Sequence, residues 1–257
     1  RDQFERERSV RDDNKLDPAY IMGALRAMDG EEDEQYQEGL KTRFEAGLAK
    51  ALAEGPGAQT SATLDLRPYH FMLVMPAADR NLQEIFQKER PNLNVVRDVM
   101  QSVGEGLQHL HQQGVIHGDF KMLNIVRSGA HRLLIDLDAA VKCAPHGEEG
   151  FAGEKFSSGI LPPEMFAKLT TSEVDVFKQH FGNIETSDDE NDRELWRKVR
   201  PRQGKKSWVA VKTFDPNSKD AAPHQPPFEL HEAHQKIDIW SFGVVLFKLC
   251  SGSDLFM

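Results

Sequence analysis

The spacing of polar residues in the middle of the chain constrains it more than any other feature. Asp119 is followed two positions later by Lys121 and five positions later by Asn124, and Asp136 comes twelve positions after that. Two short apolar runs separate Asn124 from Asp136, and a turn-like Arg-Ser-Gly-Ala segment joins them. This pattern predicts a β-hairpin that brings Asn124, at the root of one strand, close to Asp136, at the exit of the other.

These four residue types suit the transfer of a phosphoryl group, in which positioning and charge neutralisation dominate. Mg²⁺ takes hard oxygen ligands, usually one or two from the protein, and Asn124 with Asp136 can supply them. Asp119 can accept the proton of an attacking hydroxyl, and Lys121 can reach the phosphate as a point charge. Each residue alone also suits a turn or a strand end, but the four together favour a phosphoryl-transfer site.

The sequence HGDFKMLN at residues 117–124 resembles the catalytic loop of eukaryotic protein kinases, and DLD at residues 136–138 resembles their D-F-G motif. The resemblance implies that Asp119 and Lys121 are catalytic, and that Asn124 and Asp136 hold Mg²⁺ beside ATP. HGD also occurs in aminoglycoside- and choline-kinase-like enzymes, so the rest of the chain has to decide between these families.

Two positions depart from the family pattern. Gly118 replaces an arginine that pairs with a phosphorylated activation loop, and we therefore expect activity that is independent of phosphorylation at Ser157 or Ser158. Asp138 replaces the glycine of D-F-G and is expected to place a third carboxylate near the metals.

The first 16 residues form a charged amphipathic segment, and Asp17 and Pro18 end it. Residues 20–22 are then predicted to form a strand. They resemble the kinase C-helix and the strand that follows it. The resemblance makes Glu7 the best candidate for pairing with the ATP-anchoring lysine, with Glu5 second. A solvated surface glutamate is the alternative interpretation.

Residues 31–57 are an insertion with apolar residues at helical spacing, expected to form an amphipathic helix docked against the small lobe. Residues 69–75 then predict a buried strand that resembles the one leading to the kinase hinge. There Met75 would be the gatekeeper, Pro76 would offer adenine its C=O, and Ala78 would offer its N–H.

Asn81 is predicted to cap a helix over residues 82–88, and its side chain can alternatively meet ribose. The resemblance also places Val126 at the nucleotide. Residues 94–113 predict a long helix with one apolar face. We expect His117 to be a packed structural histidine and His111 an ordinary helix residue, and we predict no zinc site.

Two further motifs favour protein kinases over small-molecule kinases. Pro162, Pro163 and Glu164 resemble the A-P-E that closes an activation segment. DIWSFG at residues 238–243 resembles the opening of the central large-lobe helix, which we expect to be buried all round. Asp238 would accept backbone N–H groups from the catalytic loop or cap this helix, and both can hold together.

Residues 167–234 form a second insertion, in which VAVK ends at Lys212. VAVK matches the strand of the ATP-anchoring lysine, but its position after the activation segment is wrong for that role. We therefore expect Lys212 to belong to a strand of an inserted hairpin. A substitute ATP lysine is the less favoured alternative.

Composition excludes several classes of protein. The net charge of −9 argues against a nucleic-acid-binding surface. The longest apolar run, at residues 239–250, is too short to span a bilayer. Two distant cysteines indicate a reducing compartment, and we expect a cytoplasmic protein. Residue 1 is Arg, and we expect the natural chain to extend beyond both ends.

The expected fold is α+β and two-lobed, with an incomplete small β lobe at residues 1–76 and a mainly helical large lobe at residues 77–257. The expected function is ATP-dependent phosphorylation of serine or threonine in a protein substrate, with a possible regulatory partner at the insertions. A pseudokinase scaffold is one alternative, favoured by Gly118, Asp138 and the long insertions. A small-molecule phosphotransferase, favoured by HGD and DLD, is the other.

Overall fold

A computed structural model of the protein describes residues 2–30, 33–54, 70–143, 150–151, 162, 165–181, 187–189, 192, 196, 200–203, 207–211 and 231–255. The N-terminal elements are α1 (Asp2–Asp13), β1 (Arg26–Asp29), α2 (Glu34–Glu54) and β2 (Phe71–Val74). The central elements are β3 (Arg80–Asn81), α3 (Leu82–Glu89), α4 (Leu93–Gln112), β4 (Val115–Ile116), a 3-10 turn (Met122–Asn124), β5 (Ile125–Ser128), β6 (His131–Leu134) and β7 (Val141–Lys142). The C-terminal elements are β8 (Gly150–Phe151), β9 (Phe166–Leu169), α5 (Thr171–Phe181), β10 (Arg202–Gln203), β11 (Trp208–Val211), β12 (His231–Glu232) and α6 (Lys236–Ser251).

The mixture of helices and small antiparallel sheets is an α+β architecture, as the sequence predicts. The main core joins α3, α4 and α6 to the hairpin β5–β6, and residues from the N-terminal segment complete it. Its most deeply buried side chains include those of Phe120, Leu110, Leu134 and Ile21. The residues around the predicted site therefore belong to the best-packed part of the molecule.

The predicted hairpin is confirmed. Strands β5 and β6 pair antiparallel, with Ile125 opposite Leu134 and Ser128 opposite His131. The two-residue loop between them begins with Gly129 at φ +59°, a left-handed conformation that favours glycine. This register holds Asn124 and the residue before Asp136 at the same end of the hairpin.

Helix α4 is also confirmed, and it begins after an Asn92 cap whose side chain accepts from the N–H groups of Asn94 and Val95. Its buried positions recur at helical spacing and face the hairpin and α6. They are Val96, Val99, Met100, Val103, Gly106, Leu107 and Leu110. The helix stops before Gly114, at φ +71°, and the chain turns directly into β4.

The N-terminal segment contains less strand than expected. At residues 20–22 there is only a parallel bridge between Ile21 and Leu134. Met22 N donates to Leu134 O at 3.0 Å, and Leu134 N donates to Tyr20 O at 2.9 Å. The chain thus adds to the edge of the β5–β6 hairpin for one residue pair before it turns away to β1.

Strand β2 is half-buried, so the prediction of a buried strand there is wrong. It pairs antiparallel with β1 in a sheet that has two strands among the described residues. A strand in so small a sheet has one covered face at most, which leaves its other side chains partly open.

The predicted inserted helix is confirmed as α2. Tyr36 and Leu40 are buried, and Gln37 Nε2 donates to Gly30 O at the end of β1. Asp33 Oδ1 accepts from Tyr36 N at 3.0 Å and closes the first turn. The N-terminal half of α2 is therefore partly buried and is attached to the end of β1 by the Gln37 hydrogen bond.

Helix α6 is not buried all round, which corrects the prediction from its apolar composition. Val245 and Leu249 face the core, but Ile239 is 58% exposed and Phe247 is 40% exposed. Among the described elements, α6 packs mainly against α4. None of the helices in the described part of the chain combines the length and apolar character that crossing a bilayer requires.

The second insertion contains the predicted hairpin and one more strand. Strand β11 pairs antiparallel with β10 and with β9, in the order β10–β11–β9. Leu169, Val174, Phe177 and Ala210 form a small separate core between this sheet and α5. Lys212 itself lies outside the described residues, so its assignment stays a prediction.

Candidate active site

The catalytic loop, residues 117–124, is anchored from both sides. Strand β4, which immediately precedes the loop, pairs with β7. On the other side, the loop contacts Asp238 in the first turn of α6. Asp238 Oδ2 accepts from His117 N at 2.8 Å, and Oδ1 accepts from Gly118 N at 3.1 Å. The predicted contact between Asp238 and the loop is confirmed, whereas the residue at the cap position of α6 is Gln235.

Gly118 has φ +75°, in the left-handed region that side chains with a Cβ rarely adopt. This conformation turns its N–H and that of His117 toward the same carboxylate, that of Asp238. Glycine at this position thus has a backbone role in addition to lacking the arginine side chain.

The sequence predicts an ordinary helix residue at His111, and this prediction is wrong. His111 is a partner of Asp238. Its Nε2 lies 2.8 Å from Asp238 Oδ2, and both side chains are buried. Sequence spacing gave no signal for this contact, because it joins two helices whose crossing point depends on the tertiary structure.

His117 is fully buried, as predicted for a structural histidine. Its Nε2 lies 3.1 Å from Ile135 O, and its Nδ1 lies 3.4 Å from Asp119 N. These partners favour the tautomer with hydrogen on Nε2, because a carbonyl oxygen can only accept and a backbone N–H can only donate. The ring therefore links the catalytic loop to the residue before Asp136.

Three of the four residues predicted to form the site meet at the Asp119 carboxylate. Lys121 Nζ lies 2.5 Å from Asp119 Oδ2. Asn124 Nδ2 lies 3.0 Å from Asp119 O and 3.4 Å from Asp119 Oδ2. The Asp119 side chain is almost completely buried, whereas that of Lys121 is about one-fifth exposed.

The fourth residue, Asp136, follows the hairpin on the same side. Ile135 N donates to Asn124 O at 3.0 Å, which joins the two ends of the hairpin next to Asp136. Asp136 has φ +64°, a left-handed conformation that is uncommon for a residue other than glycine. Such backbone strain persists where surrounding contacts determine it, and it is frequent at functional sites.

Helix α1 approaches the site from the N-terminal side. Glu7 Oε1 lies 3.4 Å from Leu137 N, directly after Asp136. The pairing of Glu7 with an ATP-anchoring lysine, and the preference for Glu7 over Glu5, stay predictions. Arg6 and Arg11, which the sequence reasoning did not single out, also contact this region. The spacing of Glu7 and Arg11, four residues apart in a helix, was the available signal.

The predicted hinge residues border a small apolar cluster. Met75 packs against the cluster formed by Met22, Val126 and Leu133, beside the catalytic loop. Pro76 and Ala78 are exposed. Asn81 caps α3 as predicted, since its Oδ1 accepts from Glu84 N at 2.9 Å. Contact of any of these residues with a nucleotide stays a prediction.

The donor set fits Mg²⁺ better than a metal held by protein alone. Asn124 donates through Nδ2 to Asp119, so its Oδ1 is the atom of this side chain that can serve as a metal ligand. Within the described ranges, no group of three or more His, Cys, Asp and Glu side chains is placed to hold a metal ion. The carboxylates of Asp119, Asp136 and Asp138 do not form such a group, so the structure lends no support to Asp138 as a third ligand. Mg²⁺ commonly takes one or two protein oxygens and completes its shell with phosphates and water.

Several predicted residues lie outside the described part of the chain. They are Ser157, Ser158, Pro163 and Glu164 of the expected activation segment. Pro162 is described and buried, and Met165, close after it, packs in a small core with Ile116 and Ile237.

Comparison with known proteins agrees with this geometry. The family model described as "Protein kinase domain" matches residues 37–179, more than half of the chain, and the match includes the catalytic loop and the hairpin. A curated relative, "Putative ribosomal protein S6 kinase alpha-2" of Caenorhabditis elegans, is 26% identical over 191 residues. The alignment covers 72% of this chain but only 18% of that relative. The chain belongs to the protein kinase domain family.

Proposed function

We propose that this chain is the catalytic part of a protein kinase that transfers the γ-phosphoryl group of Mg-ATP to a serine or threonine hydroxyl of a protein. The observation that carries the proposal is the meeting of Lys121 Nζ and the Asn124 amide at the Asp119 carboxylate. Membership of the protein kinase domain family supports the same reaction.

Asp119 is the residue that orients the substrate hydroxyl and accepts its proton. Its N–H contacts His117 and its carboxylate contacts Lys121, so the side chain is held before substrate binds. Lys121 offers a partly exposed cation beside the Asp119 carboxylate, where it stabilises the charge of the phosphoryl group during transfer. Preorganisation of this kind lowers the barrier because little has to move during the reaction.

Asn124 and Asp136 are the candidate Mg²⁺ ligands. Once held by these two residues, the ion would neutralise the charge of the phosphates. The hairpin fixes the distance between the two ligands, since Ile135 N is bonded to Asn124 O. The left-handed conformation of Asp136 turns the chain sharply there, and we expect it to direct the carboxylate toward the phosphates.

The nucleotide is expected to lie between the hinge and the catalytic loop. Pro76 would offer adenine its C=O, Ala78 its N–H, and Val126 an apolar surface beneath the ring. Met75 closes the back of this region through its contact with the cluster of Met22, Val126 and Leu133. Because Asn81 Oδ1 already caps α3, Asn81 would contact the ribose by donating from Nδ2.

The choice of serine and threonine as acceptors rests on Lys121, by resemblance, and on the relative named as a ribosomal protein S6 kinase. A protein substrate distinguishes this proposal from a small-molecule phosphotransferase. Intact Asp119, Asn124 and Asp136 distinguish it from a pseudokinase scaffold.

The test compares wild type with Asp119→Asn and Asp136→Ala in the natural protein. We expect phosphorylation of a generic protein substrate by wild type, and loss of transfer by about 100-fold or more in Asp119→Asn because the acceptor of the proton is gone. Asp136→Ala should also abolish the thermal stabilisation that Mg-ATP gives. Asp98→Asn, an exposed substitution on α4, is the control for net charge and folding.

The alternatives give different results in the same assays. A pseudokinase would show no transfer in wild type and no change in Asp119→Asn. A small-molecule enzyme would transfer phosphate to choline or an aminoglycoside but not to protein. Either result would overturn the proposal.

A further inference from the structure

Helix α1 carries an arginine, Arg11, whose side chain is buried beside Met75, the residue before the predicted hinge residue Pro76. Its Nη2 donates to Glu7 Oε1 at 2.8 Å and lies 3.9 Å from Met75 Sδ, and its Nη1 donates to Met22 O. Only 8% of the Arg11 side chain and 15% of the Glu7 side chain are exposed. Because burying a charged group is costly unless it is paired, the cation and the carboxylate hold each other in place.

The carboxylate oxygen that Arg11 holds is the one that reaches the candidate metal ligand's segment. Glu7 Oε1 accepts from Arg11 and lies 3.4 Å from Leu137 N. One residue earlier on α1, Arg6 Nη1 donates to Asp138 O at 3.2 Å. Helix α1 thus contacts the backbone of two successive residues directly after Asp136.

These contacts complete the support around a strained residue. On the side before Asp136, Ile135 is held through its N–H by Asn124 and through its carbonyl by His117. On the side after it, the described side-chain contact to Leu137 comes from Glu7. A left-handed conformation at a residue other than glycine is kept only while neighbouring contacts determine it.

We propose that Arg11 is a positioning residue for Asp136, acting through Glu7. It fixes the Glu7 carboxylate against Leu137 N and so keeps the metal-binding segment in its productive conformation. The inference rests on the proposed function, in which Asp136 holds Mg²⁺. It adds a cation supplied by α1 itself as the group that orients Glu7.

The first measurement uses hydrogen exchange of the segment around Leu137 in the natural protein without nucleotide. Arg11→Met removes the cation but keeps an apolar side chain of similar length, and Arg11→Lys keeps the charge. The matched control is Arg8→Met, because Arg8 forms an exposed pair with Asp12 at the same spacing on the same helix. We expect exchange to be about fivefold faster in Arg11→Met, as for loss of one hydrogen bond, and unchanged in the control.

The second measurement is the Mg²⁺ concentration at which ATP reaches half of its thermal stabilisation. We expect the midpoint to rise about tenfold in Arg11→Met, the usual effect of losing a group that orients a metal ligand. Arg11→Lys, which keeps the charge, should have a Mg²⁺ midpoint close to that of wild type. In the exchange measurement without nucleotide, Glu7→Ala removes the acceptor of both contacts and should reproduce the Arg11→Met effect. The double variant should be little worse there than either single one, because the two residues act as one unit.

A lower melting temperature with unchanged exchange near Leu137, or with an unchanged Mg²⁺ midpoint, would overturn the proposal, because a merely structural arginine predicts that result. If Arg11→Met does not fold, Glu7→Ala decides through hydrogen exchange near Leu137 without nucleotide. Absence of Mg-ATP stabilisation in wild type would instead overturn the proposed function. Exchange without nucleotide would still show whether Arg11 holds the segment.

Discussion

The Oδ2 atom of Asp238 lies 2.8 Å from the backbone nitrogen of His117, although the two residues are 121 positions apart in the chain. The same oxygen lies 2.8 Å from Nε2 of His111, and the other carboxylate oxygen accepts from Gly118 N. One buried side chain in α6 therefore satisfies polar groups of α4 and of the catalytic loop. The loop that carries Asp119 is positioned by a residue that takes no part in the chemistry.

Replacement of this aspartate should destabilise the protein strongly. Asp238→Ala leaves the N–H groups of His117 and Gly118 buried without their acceptor, and we expect a loss of about 3 kcal/mol in the free energy of unfolding. Asp238→Asn keeps one acceptor oxygen and should lose less. Urea denaturation measures both variants. Asp254→Ala, which breaks an exposed ion pair after the same helix, is the control and should cost less than about 1 kcal/mol. Equal losses in the three variants would contradict this assignment of Asp238.

Asn81 offers a test that separates a structural role from a nucleotide role. Its Oδ1 caps α3 by accepting from Glu84 N, so Asn81→Ala should lower the free energy of unfolding by about 1 kcal/mol. Aspartate caps helices as well as asparagine does, and Asn81→Asp should therefore keep the stability of wild type. Thermal unfolding without nucleotide measures the cap, and the KM for ATP measures the ribose contact. A KM that changes in Asn81→Asp while stability does not would assign the amide to the nucleotide.

The pH dependence of stability should show the ion pairs of Glu89. Arg127 contacts both carboxylate oxygens, at 2.7 and 2.8 Å, and Arg80 lies 2.6 Å from one of them. These hydrogen bonds, first from Arg127 and then from Arg80, lower the pKa of Glu89 from 4.5 to about 2. The folded state therefore binds fewer protons here than the unfolded state does between these two values, and stability rises with pH in that window.

The contribution of Glu89 should be fully present above pH 4.5 and should be lost as the pH falls through about 2. Glu89→Gln removes it, so the difference in unfolding free energy between wild type and this variant should shrink as the pH falls from about 5 toward about 2. Glu105→Gln, an exposed substitution on α4, has the same change in net charge and serves as the control. High salt should reduce the difference, because the pair is at the surface. A difference that grows toward low pH would show that the sign is wrong.

Much of this architecture could be predicted because local sequence determines it. The hairpin follows from two apolar runs around a glycine turn, α4 follows from its apolar spacing, and the cap of α3 follows from Asn81. The contacts of Asp238 with the loop could be predicted from the resemblance to protein kinases. The family match and the packing then agree on the same central segment.

The errors arose where long-range packing decides the outcome. Sequence spacing predicts an ordinary helix residue at His111, because its partner is 127 positions away. Helix α6 was expected to be buried all round because its sequence is apolar, yet Ile239 is mostly exposed. The sequence does not distinguish Arg11 from its neighbours, because α1 is rich in charged residues. Only the tertiary structure shows which of these side chains is buried.

Gly118 leads to the last prediction, that activity does not require phosphorylation of the activation segment. The position lacks an arginine that could pair with a phosphate, and its φ of +75° disfavours any side chain there. Its N–H is bound to Asp238, so the loop is already held by a permanent carboxylate. We therefore expect the same rate of protein phosphorylation before and after treatment with a phosphatase. Ser157→Ala with Ser158→Ala should behave like wild type, and the Asp119→Asn variant gives the background rate. Loss of activity on phosphatase treatment that the double alanine variant reproduces would show that a phosphate on this segment is needed, and that some other cation binds it in place of the missing arginine.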